Sequence, residues 1–113
     1  MATGEDLRRL ALALAGTTQA PHFDRVAFKV ARIYATLAAD GRTANLKLTP
    51  DEQELKCVTA PEAFAPVPGG WGSQGWTTAT LAALSTAELA AALELAWRHA
   101  TAKPRRAARN RRR

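Results

Sequence analysis

Between residues 23 and 48 the apolar side chains recur at every second position, and this change of period limits what the chain can fold into more than any other feature. Val26, Phe28 and Val30, then Ile33, Ala35 and Leu37, then Ala44, Leu46 and Leu48 form three alternating groups. Successive side chains of a strand point to opposite sides, so each group marks a strand with one buried side. Asp40 and Gly41 supply a hairpin turn between the second and third, and the chain breaks between the first and second around Ala31 and Arg32. The three strands read as an antiparallel meander.

Helical spacing appears on either side of it. Thr3 followed by Asp6 is an N-cap signature, and Leu7, Leu10, Ala11 and Leu14 then mark one face of a helix closed near Gly16. Pro50 after Thr49, with Asp51 and Glu52 in the first turn, starts a short helix to about Cys57. Ser85 with Glu88 is a capping box for a helix to about Thr101, whose apolar stripe is Leu89, Ala92, Leu93, Ala96, Trp97 and Ala100. Residues 60–75 read as a long loop and the threonine-rich segment 76–81 as a fourth strand. Two amphipathic helices and a sheet apolar on one side imply an α+β fold. It is a two-layer sandwich with the N- and C-terminal helices together on one face of an antiparallel sheet.

With 113 residues, 47% of them hydrophobic, the chain can build one core, expected to span residues 1–102. The net charge is +6, but seven of the sixteen cations lie in residues 103–113, leaving nine cations against ten acids in the body. That closing segment, with Arg105, Arg106 and Arg109 among its cations, is expected to be a disordered basic arm that attracts phosphate without reading sequence, or simply a solubilising extension. A single cysteine, Cys57, allows no intrachain disulfide. The first residues do not read as a signal peptide, and no apolar run reaches the roughly 20 residues that cross a bilayer. A soluble cytoplasmic protein without membrane contact is expected; a monomer is the simplest state, although the residues leave oligomerisation open.

The alternation also says what the other side of the sheet carries. Arg25, Lys29, Arg32, Tyr34, Asn45 and Lys47 are expected to point to solvent, joined by Trp76, Thr78 and Thr80 if the fourth strand keeps the pattern. Cations hold phosphates and aromatic rings stack on bases, so this face is a candidate nucleic-acid surface. An ordinary solvated face that discourages edge pairing is the bland alternative. The loop PGGWGSQGWT is the second candidate. Its glycines permit unusual turns, and Trp71 either anchors the loop on the core, the simpler expectation, or faces a ligand. It lacks the lysine and hydroxyl residue of a P-loop.

The segments FKVARIYATL, LKLTPDEQ, PVPGGWGSQGWT and LELAWRHA, in that order, resemble the pattern of the MmcQ/YjbR family over the chain up to its basic end. Ala31 departs from it, since many members carry glycine there. The resemblance implies a fold likened to the CyaY, or frataxin, arrangement and a suggested "double wing" role in DNA binding. Iron binding by surface acids does not carry over, because the acids here are few and dispersed.

His22 beside Asp24 could bind or polarise a ligand in an adjoining cleft, although a lone histidine near a strand end is more often a packing or surface residue. No nucleophile stands beside a base, no His, Cys and acid spacing matches a metal site, and no cofactor is implied. The leading expectation is a non-enzymatic DNA-binding protein that uses the cationic sheet face and the arginine-rich arm. The alternative is a small-molecule or protein-binding module built on His22, Trp71 and the glycine-rich loop.

Overall fold

A computed structural model describes residues 1–102. The elements run α1 (Gly4–Ala13), β1 (Thr18–His22), β2 (Arg25–Lys29), β3 (Ile33–Leu37), β4 (Thr43–Lys47), α2 (Pro50–Thr59), β5 (Phe64–Pro66), α3 (Gly70–Ser73), β6 (Trp76–Thr80) and α4 (Thr86–Thr101), with a short 3₁₀ turn at Leu81–Ala83. The strands form a six-stranded antiparallel sheet in the order β1-β2-β3-β4-β6-β5. Helices α1 and α4 pack together, with α4 against β3 and β4. The α+β arrangement is the one the periodicity implied, with two more strands than the four expected.

Each long helix begins where its capping residues put it. Thr3, Thr49 and Ser85 each accept a hydrogen bond from the backbone N–H three residues on, and the acid at that position, Asp6, Glu52 or Glu88, accepts from the cap's own N–H. The reciprocal pair satisfies two donors that a helix start leaves open. Leu7 and Ala11 of α1 meet Leu89, Ala92, Leu93, Ala96 and Ala100 of α4, over Phe28, Ala35, Leu46 and Ala79 of the sheet. Trp97 lies at the rim of this stripe, half-buried, and its indole N–H donates to the Ala15 carbonyl at 2.9 Å.

The meander departs from strict alternation at one point. Phe28 pairs with Ala35 but Lys29 pairs with Ile33, so Tyr34 is an extra residue in a β-bulge. A bulge lets two successive side chains share a side and reverses the alternation beyond it. Tyr34 is therefore not on the solvent face, as alternation implied, but fully buried in the core. Its hydroxyl donates to the Ala11 carbonyl at 3.3 Å and lies 2.9 Å from the Thr17 hydroxyl. Burial pushes the phenol pKa up. Ile33, expected inward, lies on the outer side instead, where it lines both surface hollows.

The two unanticipated strands are the edges. β1, TQAPH, is exposed throughout and has no apolar alternation. β5 is three residues long, FAP, inside the segment read as loop. Both contain proline. His22 and Arg25 close a two-residue hairpin, which makes Pro21 opposite Val26 a position whose N–H would point off the edge. Val67 N–H to the Trp76 carbonyl and Thr80 N–H to the Ala63 carbonyl put Pro66 in the same situation on the opposite edge.

Tyr34→Phe is expected to lower stability by about 1–2 kcal/mol, because the Thr17 hydroxyl and Ala11 carbonyl lose a buried partner. Urea denaturation measures it; an unchanged midpoint would mean that the ring points to solvent and the bulge is misplaced.

Candidate functional site

The outer side of the sheet is not a flat solvated surface. The hairpin joining β1 and β2 rises on one side and the loop between β5 and β6 on the other, enclosing an open cleft of about 390 Å³. Ile33, Thr36, Asn45 and Trp76 form its floor, His22, Phe23, Asp24 and Arg25 one wall, and Val67 with Trp71 the other.

The glycine-rich wall is held in place by polar contacts and close backbone approach. The Gln53 side-chain amide, on α2, donates to the carbonyls of Gly72 and Trp76, both at 3.0 Å, and to the Thr77 hydroxyl at 3.2 Å. Gly75 has φ +106°, and a Cβ there would stand 1.9 Å from the Leu48 carbonyl oxygen. Gly72 is as tight, at 1.9 Å from the Val67 oxygen. Only glycine fits either place. The loop thus presents Trp71 to the cleft instead of anchoring it in the core. Trp71 is 62% exposed and meets Trp76 edge-to-face, with ring centroids 6.5 Å apart.

The hairpin wall is strained at its tip. Phe23 has φ +60° and is 93% exposed, its ring against His22 with centroids 4.9 Å apart. Glycine is the usual residue at such a loop position, and a bulky side chain there is an outlier that marks functional segments more often than others. Behind it, the Arg25 guanidinium lies along β3, donating to the Thr36 hydroxyl at 2.8 Å and the Thr36 carbonyl at 3.3 Å. Asn45 accepts from the Thr78 hydroxyl at 2.9 Å, which fixes its carboxamide and leaves its amino group as a donor.

A second hollow of about 240 Å³ opens at the end of the sheet where β3 and β6 begin and β4 ends. Arg32, Lys47 and His99 line it, with Ala96 and Ala100 of α4, and Ile33 and Trp76 are shared with the first. Arg32 donates to the carbonyls of His99 at 2.8 Å and Ala102 at 3.3 Å, covering the end of α4. His99 Nε2 lies 2.8 Å from a Glu52 carboxylate oxygen that also accepts from the Thr49 N–H. Burial alone would raise the Glu52 pKa; the hydrogen bonds from Thr49 and His99 outweigh it and hold the carboxyl below its ordinary value.

The residues singled out by sequence therefore separate. His22, Arg25, Trp71 and Trp76 meet around the cleft, Arg32 and Lys47 belong to the second hollow, and Lys29 is exposed on β2 outside both. Tyr34 belongs to the core, and Arg105, Arg106 and Arg109 lie outside the described residues. Ile33, Thr36 and Gln53 escaped sequence reasoning, since the bulge and the loop's tertiary contacts leave no local pattern. Among the described residues no group of three or more His, Cys, Asp and Glu side chains could hold a metal, and no helix is long and apolar enough to cross a membrane. Burial raises the Cys57 thiol pKa, the reverse of an activated nucleophile.

The model of the YjbR family matches residues 12–99. The chain belongs to the YjbR family. Residues 12–99 take in all six strands, most of α4 and every residue that lines the cleft, with Ala100 of the second hollow just beyond. The crystal structure of Deinococcus radiodurans protein DR2400, with family-model domain DUF419, is similar at a TM-score of 0.73 and 25% identity, covering 85% of this chain and 76% of that one. No curated protein matches the chain.

Two measurements test the geometry of this YjbR-family site. Gln53→Ala is expected to speed amide hydrogen exchange in residues 67–76 more than in β3 and to lower stability by about 1–3 kcal/mol, since buried acceptors lose their donor. The Glu52 contribution follows the sign for a depressed carboxyl: it is present above the ordinary value of 4.5 and lost as pH falls through the lower folded value. Glu52→Gln should accordingly flatten the fall in thermal midpoint below that pH; an acid limb identical to the parent's would exclude Glu52 as its source.

Proposed function

We propose that this YjbR-family protein is a non-enzymatic nucleic-acid-binding protein that receives an unpaired base in the cleft on the outer side of its sheet. The observation that carries the reading is Trp71, largely exposed and set edge-to-face on Trp76 across an apolar cleft, on the side that also bears Arg25, Lys29 and Lys47. An exposed indole in contact with water is unfavourable unless something covers it, and a base has a π-face that does. Arg25 on one wall and Asn45 on the floor supply donors for a base edge, while Lys29 and Lys47, paired in register with the floor residues Ile33 and Trp76, supply cations for a backbone beside the cleft. The arrangement favours single-stranded or unpaired DNA over a rigid duplex, because a paired base cannot enter. The near-neutral body implies modest affinity, so the arginine-rich residues 103–113 serve as a tether.

A second reading has its own support in the cleft's dimensions. Its volume of about 390 Å³ and mainly apolar lining lie within the range of small-ligand sites. On that reading the occupant is a small planar molecule and the basic segment is incidental.

Fluorescence anisotropy with labelled single-stranded and duplex DNA across a salt series separates the two, comparing the full chain, a chain ending at Ala102 and Trp71→Ala. Single-stranded DNA is expected to bind the shortened chain at moderate salt, and Trp71→Ala to weaken it by about tenfold or more, the usual loss of a stacked base. Complete loss of binding with residues 103–113, and no effect of Trp71, would remove the sheet as reader and leave the small-molecule reading.

A further inference from the structure

The cleft on the outer side and the hollow at the end of the sheet are chemically opposite and physically joined. Ile33 and Trp76 are walls of both. One side of Trp76 is therefore an aromatic, apolar cleft; the other is a hollow where cations from separate elements converge, Arg32 from the β2–β3 turn and Lys47 from β4, with His99 from α4 beside them.

Lys47 carries most of the argument. It pairs in register with Trp76, so the two side chains leave the sheet on the same side, and it is only half-exposed. Among the described residues neither Lys47 nor Arg32 forms a salt bridge. Glu52 does not line the hollow, and its Oε1 is engaged by the Thr49 N–H and His99. The carbonyls ending α4 would repel an anion, but the Arg32 guanidinium covers them and keeps further N–H groups for another acceptor. A half-exposed lysine with no carboxylate partner among the described residues, beside a guanidinium, is a place for a phosphate or another compact anion.

We infer that this hollow is a phosphate subsite continuous with the aromatic cleft, so that the ligand is a nucleotide unit with its base against Trp71 and Trp76 and its phosphate at Lys47 and Arg32. The inference rests on the cleft being a base site, as proposed above. It adds the class of ligand: a phosphorylated base, supplied either as a free mononucleotide or as one unit of a single strand.

Titration of the full chain, followed by tryptophan fluorescence and calorimetry, tests it with adenosine, adenosine 5′-monophosphate and a short oligodeoxyadenylate. The monophosphate is expected to bind about tenfold more tightly than adenosine, as a charge-assisted contact implies. Lys47→Met, which keeps an apolar stem beside Trp76 but removes the charge, should abolish that ratio while adenosine binds as before; Arg32→Gln serves as the second variant if the first alters the thermal midpoint. Residues 103–113 are present throughout, so a change in the ratio belongs to the hollow. Where the monophosphate gains over adenosine, still tighter binding of the oligonucleotide identifies a strand as the source of the phosphate, and no further gain a free ligand; either supports the subsite. Equal affinity for adenosine and its monophosphate overturns the subsite and leaves the base cleft standing. Absence of binding by all three probes overturns both.

Discussion

Everything on the outer side of this sheet depends on the bulge that sets Tyr34 opposite neither Phe28 nor Lys29. A side-chain period of two is unforgiving: one extra residue exchanges the sides of everything beyond it. Here the exchange takes a tyrosine into the core and puts an isoleucine on the outside. The tyrosine hydroxyl then joins the end of α1 and the turn that leads from it to β1, through Ala11 and Thr17. The isoleucine becomes the apolar floor shared by two hollows. Without the bulge the outer side would carry a polar aromatic among cations, and the cleft would lose its base.

Legibility in the sequence followed the strength of the local signal. The three capping pairs, Thr3 with Asp6, Thr49 with Glu52 and Ser85 with Glu88, act within a single turn, and each helix begins where its pair stands. Phe28, Ala35, Leu37, Ala44 and Leu46 alternate clearly and are all buried. β1 and β5 carry no such pattern, because an edge strand exposed on both sides, or three residues long, need not alternate; their existence is decided by partners distant in sequence. The bulge is invisible for a similar reason, since Ile33 and Tyr34 are both acceptable on either side until the register of β2 is fixed. Arg25 lines the outer cleft, although its engagement with Thr36 was not legible; Arg32, expected on the same face, turns instead to the end of α4.

The site itself joins two segments that sequence reading kept apart as competing candidates. Trp71 comes to the sheet because Gly72 and Gly75 let backbone approach backbone and Gln53 ties the loop from α2. The same contacts keep an indole in water. Strain at Phe23 and exposure at Trp71 thus lie across from each other, on two walls of one cleft. Local disadvantage concentrated in one place, on an otherwise well-capped and well-packed chain, is the pattern expected where a surface is shaped for something other than stability.

The prolines of the two outermost strands bear on how the molecule can meet others. Pro21 and Pro66 each remove an N–H that would otherwise look away from the sheet, one at either margin. A foreign strand laid along either margin would find its row of donors interrupted, so growth of the sheet by recruitment is blocked on both flanks. Encounters through the backbone are thereby discouraged, and the chain is left to be recognised by what its side chains display on the open side of the sheet.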